Sequence, residues 1–212
     1  MNRTCTIAGV LALGGLWTGP LPEMARHSFA AHMALHIGVV AVAAPVLALG
    51  VAGSRLDPVR RWPGWFPPIP LSLVELVVVW AWHAPALHHA ARHSAAGFAA
   101  EQGAFIAAGL LVWLSAVGGG DFRREERTGA GIAALLLTSM HMTLLGALLA
   151  LANRPLYAHA EPGSDTALTA LEDQHLGGAI MLLVGGASYL AGGLWLTKRL
   201  VRHKLPRLEE RG

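Results

Sequence analysis

HSFAAHMALHIGVVAVAAPVLAL, residues 27–49, opens on histidines and a methionine and runs on as an unbroken apolar stretch. A helix over it places His32 and His36 on one face, one turn apart, with Met33 at the border of that face. Imidazole and thioether ligands therefore stand where a hydrophobic helix begins. An apolar run of this length, without Asp, Glu, Lys or Arg, approaches the ~20 residues needed to cross a bilayer.

The rest of the chain repeats that pattern. Hydrophobic residues make up 54% and charged residues 14% of the 212 residues, and mean hydropathy is +0.48. The fold class expected is all-α: a polytopic transmembrane helical bundle of about six spans, forming one transmembrane domain over residues 1–212. The spans fall near 4–18, 32–53, 70–88, 97–117, 129–152 and 170–197. The first, short and behind Arg3, reads as a retained helix, with a signal-peptide core as the alternative. The third ends near Pro85, and the sixth starts on a capping box, Thr169 with Glu172. Gly178, Gly185 and Gly192 recur every seven residues and predict close helix packing.

Of the sixteen Lys and Arg, all but Arg26, Arg92 and Arg154 fall on one side of this topology. By the positive-inside rule both termini are cytoplasmic. The formal charge of +3 does not indicate nucleic acid, because the basic residues are spread over loops and the tail. With Cys5 as the single cysteine, no thiolate cluster or internal disulfide can form.

Histidine played no part in setting that topology, yet His27, His32, His36, His83, His88, His89, His93, His159 and His175 all fall on the outer side. His88, His89, His93 and His159 read as polar loop decoration. His36, His83, Glu101 and the Asp173–His175 turn share one depth on four helices. Polar groups in spans are costly and normally face the bundle interior or a cavity. A metal site is the preferred reading of that layer, and a hydrogen-bonded polar layer is the alternative. The set is His32, Met33, His36, His83 and His175 as ligands, with Glu101, Asp173 and Gln174 supporting. Imidazole with thioether and no thiolate points to copper before zinc. Met140, His141, Met142 and the intramembrane Glu75 form a possible deeper site. Two inward histidines such as His36 and His141 could instead hold a b-type haem. Glu75 and His141 could also line the path of a copper or ion permease, and Glu75 could simply pair with Trp62, Trp65 or a loop arginine. No constellation for hydrolysis or group transfer is present, so an enzyme is not expected.

Several short motifs in order carry a resemblance. They are His32-Met33-x-x-His36 with Ala44-Pro45 and Leu49-Gly50; Trp82-His83-x-Pro85-Ala86; Glu101 with Phe105 and Trp113; Leu144-x-Gly146-Ala147; Pro155-Leu156-Tyr157; and Asp173-Gln174-x-x-Gly177-Gly178-x-Ile180-Met181. Together, over residues 27–200, they resemble the CtaG family of integral membrane assembly factors for caa-type cytochrome c oxidase. Gln102 departs from that pattern, where a histidine is expected. The resemblance implies a role in maturing the oxidase around copper insertion. The partners it implies are oxidase subunits or a copper chaperone, besides membrane lipid. His32, Met33, His36, His83, Glu101, Asp173 and Gln174 match the family pattern by position.

Overall fold

The computed structural model describes residues 2–120, 124–157 and 168–209; His159 and most of the loop that carries it lie outside the described residues. The described residues are helical, with no strand. The first apolar segment is α1 (Arg3–Thr18), bent by 45° at Gly19-Pro20 into the short α2 (Leu21–His27). The opening stretch forms α3 (Phe29–Val51). It starts three residues earlier than expected because Ser28 caps it, accepting from Ala31 N–H at 3.1 Å. A helical turn at Pro58–Arg61 and a 3-10 turn at Pro63–Trp65 lead to α4 (Pro68–Trp82).

The third span is not the single rod expected over 70–88. Ala84 precedes a proline and is held extended, ψ 131°, so α4 ends at His83 and Pro85 starts α5 (Pro85–His93) after a 72° bend. Pro85 is thus a helix start rather than a span end. Then follow α6 (Ala95–Val117), α7 (Arg124–Ala150) and α8 (Ala170–Arg202, with helical backbone running on to Glu209). Thr169 and Glu172 form the expected capping box. Among the described residues, four helices are long and apolar enough to cross a membrane, or up to six if each bent pair is one span.

α3 lies centrally, against α1, α2, α6 and α8, while α7 packs on α4, α6 and α8. The faces follow helical spacing. On α7, Thr138, His141, Met142, Leu145 and Leu149 are buried, whereas Met140, Leu144 and Leu148 point outward. That large apolar side chains cover the exterior is what lipid as solvent requires. The heptad glycines do sit at close approaches. A Cβ on Gly178 would lie 2.8 Å from Gly146 O and 2.9 Å from Ala150 Cα of α7; one on Gly192 would lie 2.6 Å from the Trp113 ring of α6.

α3 carries a π-helical segment, Gly38–Ala43, where Ala44 N–H reaches back to Val39 O. Pro45 has no N–H to give, so the Val40 carbonyl has no donor in its own helix. Trp113 Nε1 supplies one at 3.2 Å, and Ser188 Oγ donates to the neighbouring Ala41 O at 2.7 Å. Irregular backbone at membrane depth is thereby satisfied by α6 and α8, and α3 is locked between them.

Candidate metal centre

The N-terminal end of α3 is set by α8. Asp173 accepts from the Ser28 hydroxyl at 2.7 Å and from the N–H groups of Phe29 and Ala30, so one carboxylate takes up several donors that a helix start leaves free. Asp173 is therefore spent on positioning α3, not on orienting an imidazole. Gln174 accepts from Leu156 N–H at 2.6 Å and donates to Leu149 O at 3.4 Å, pinning the segment after α7. That segment carries Tyr157, whose hydroxyl donates to His83 O at 2.6 Å and holds the bend between α4 and α5. Burial pushes the Tyr157 hydroxyl up to about 12, so it remains a donor across the neutral range.

These clasps leave a buried histidine group. His32, His36, His83 and His88 are at most 4% exposed, and Met33 and Glu101 are fully buried. The His32 and His88 rings meet edge to face at 4.7 Å between centroids; His36 and His83 do so at 5.3 Å. Phe105 packs on His36 at 4.0 Å, and Phe29 and Tyr157 stack at 4.5 Å beside His88. His32 Nε2 stands 3.6 Å from Glu101 Oε1, an ion-pair distance but too long for a hydrogen bond. His32, His88 and Glu101 each offer a ligand atom, none farther than 4.8 Å from the others. A tetrahedral ion bonded at about 2.0–2.2 Å needs its ligand atoms roughly 3.3–3.6 Å apart, so small side-chain rotations would close the set.

The donor atoms themselves bear on whether a metal fits. His32 Nε2, Glu101 Oε1 and both ring nitrogens of His36 are buried without a hydrogen-bond partner among the described residues. Leaving such groups desolvated costs roughly 1–3 kcal/mol each, which a shared cation would offset. The group is reached from a cavity of about 100 Å3 lined by Arg26, His32, Arg92, His93 and Glu101 among others. Gln102, from its place beside Glu101, donates to Glu101 Oε2 at 3.4 Å and accepts from Trp17 Nε1 at 3.2 Å, tying α1 to the site.

The structure brings together His32, Met33, His36, His83 and Glu101, but not His175. That residue is half-buried, with its Nε2 on the Ala152 carbonyl at 2.7 Å, and it joins α8 to the end of α7. Adjacent positions on a helix point about 100° apart, so Asp173, Gln174 and His175 serve three different contacts. His88 takes the place in the group expected of His175. Sequence reasoning set His88 beside His89 and His93, which stack on one another in the open. The Ala84-Pro85 break was the available signal, since it turns α5 so that His88 and Ala91 face inward.

The deeper residues divide in the same way. Met140 is 69% exposed on the outer face of α7 and Met142 is in the core, so the two flank His141 without sharing its direction. His141 is buried, has no hydrogen-bond partner at either nitrogen among the described residues, and is an electrostatic neighbour of His36. Glu75 pairs with neither Trp62, Trp65 nor a loop arginine: it accepts from the Tyr189 hydroxyl at 2.5 Å and from Thr138 Oγ1 at 3.2 Å. It bridges α4, α7 and α8 inside the bundle.

No curated protein and no solved structure gives a significant match to the chain. A family profile, that of the cytochrome c oxidase caa3 assembly factors, matches residues 2–203. Nearly the whole chain, buried histidine group included, lies within that match, and the protein belongs to the cytochrome c oxidase caa3 assembly factor family.

Proposed function

We propose that this assembly factor binds copper in the buried histidine group and passes it to the oxidase under assembly, in a non-catalytic role. The observation that carries the reading is the convergence of four imidazoles, a carboxylate and a thioether from α3, α4, α5 and α6 around donor atoms that lack partners. Imidazole with thioether, and no thiolate, favours copper over zinc. His32, His88 and Glu101 would hold the ion nearest the cavity. His36, His83 and Met33 lie directly inward. Copper is cargo here, and what the chain does is collect, desolvate and retain it. The lysine and arginine distribution supports one transmembrane unit in a bacterial inner membrane, both termini cytoplasmic and the histidine group toward the outer face. Oxidase subunits or a copper chaperone would be the partners at that face.

The test is copper content. Protein loaded with Cu(I) under reducing conditions should lose most bound metal in His32→Ala/His36→Ala. Unchanged stoichiometry would sink the proposal. The same preparation should lack a Soret band, which a bis-histidine haem would produce.

One observation supports a second reading, a permease. From His36 the polar residues continue inward through His141 and, one turn along α7, Thr138, which bonds Glu75. Copper flux across proteoliposome membranes that is abolished by Glu75→Gln would favour transport over delivery at one face.

A further inference from the structure

We propose that the histidine group is two adjoining copper sites of unlike chemistry: an entrance set of His32, His88 and Glu101, and a sealed set of Met33, His83 and His36 selective for Cu(I). The inference rests on the copper reading above and deepens it. His32 and Met33 are consecutive on α3, so their side chains diverge by about 100° and one ion cannot take both. His32 turns to His88 and Glu101. Met33 turns to His83, its Sδ 3.5 Å from His83 Nε2.

That contact is informative because the tautomer of His83 is fixed. Its Nδ1 lies 2.6 Å from the Val79 carbonyl, which can only accept, so Nδ1 carries the proton. In the neutral ring Nε2 is a bare lone pair, and it faces a thioether that is also a lone-pair donor. Two soft donors directed at one another make no hydrogen bond. They form half of a ligand set already at its working spacing. An ion bonded at about 2.0–2.1 Å to nitrogen and 2.3 Å to sulfur, at a tetrahedral angle, sets the pair roughly 3.6 Å apart. His36, on the adjoining turn of α3, has no partner at either nitrogen and its ring meets that of His83.

Access separates the sets further. The cavity is lined by His32 and Glu101, not by Met33, His36 or His83. Met33 and His36 are fully buried. A carboxylate with two imidazoles accepts copper in either oxidation state, whereas a thioether in a dry pocket selects Cu(I). An ion would meet the entrance set first and the sealed set second.

Full-length protein in detergent, titrated with Cu(I) against a chromophoric Cu(I) chelator, should bind two equivalents. X-ray absorption should show a sulfur neighbour at copper. Met33→Leu, which nearly conserves volume, should bind one equivalent with no sulfur neighbour. His88→Ala should also bind one, with the sulfur retained. A single equivalent in the unsubstituted protein, whatever its neighbours, overturns the two-site inference and leaves the copper reading standing. Two equivalents with an unaltered spectrum in Met33→Leu overturn it as well. No bound copper at all removes the copper reading itself.

Discussion

At the scale of single residues, His88 separates sequence pattern from spatial role. Three histidines on α5 have near-identical surroundings in the chain, but His88 is 2% exposed between His32, Phe29 and Tyr157, and His89 and His93 stack in the open. His88→Ala should weaken copper binding at least about tenfold, whereas His89→Ala/His93→Ala should leave it unchanged. Competition against a chelator of known affinity checks both. Equal loss in the two variants would show that the exposed pair contributes to capture. Tyr157 belongs to this scale too. It lies in one of the motifs that carried the family resemblance, and its work is to hold the His83 carbonyl rather than a metal. Asp173 and Gln174 are the same case: they position α3 and the segment after α7.

At the scale of elements, two helix boundaries set the site. Asp173 of α8 caps the start of α3, and so fixes where His32, Met33 and His36 stand. Asp173→Ala removes charge-assisted hydrogen bonds to Ser28, Phe29 and Ala30 and should destabilise the protein by about 1.5–3 kcal/mol. A fall in unfolding temperature in detergent, together with weaker copper binding, is the expected result; unchanged melting would mean water replaces the cap. The second boundary is Ala84-Pro85. Pro85→Ala removes the steric bar to helical Ala84 and should let α4 run on toward α5, drawing His88 away from His32. Copper stoichiometry should drop although helix content by circular dichroism is unchanged. The π-helical segment of α3 obeys the same logic: Pro45 frees a carbonyl, and Trp113 brings a donor to it.

At the scale of the whole molecule, small residues let helices come close enough for such side chains to meet. Gly178 faces Gly146 and Ala150 so tightly that Gly178→Val would force α7 and α8 apart. The same separation would disturb Gly177, against which Phe29 and Met33 pack, so both stability and the sealed thioether site should suffer. Loss of the folded band in size-exclusion chromatography, or loss of the sulfur neighbour at copper where folding survives, would register it. Orientation is also a property of the whole chain. Reporter fusions at each terminus should both read cytoplasmic, as the lysine and arginine distribution predicts; a periplasmic readout at both would move the histidine group to the other face.

The amino-acid sequence by itself determined that this is a helical membrane protein, where its apolar stretches lie, and that His32, Met33, His36, His83 and Glu101 stand toward one end of its helices. Those properties follow from composition and from the 3.6-residue period, which are local along the chain. It did not separate His88 from its neighbours, or show that His175, Asp173 and Gln174 hold backbone. Nor did it show that Met140 faces outward or that Glu75 is taken by Tyr189 and Thr138. Each of those depends on which way a residue turns within its layer and on which helix lies opposite. A shared depth is legible from residue counts. A shared direction is decided by bends such as that at Ala84-Pro85 and by glycine-lined contacts between helices far apart in the chain. The tertiary structure therefore decided which residues lie together: His32 with His88 beside Glu101, and His36 with His83 beside Met33.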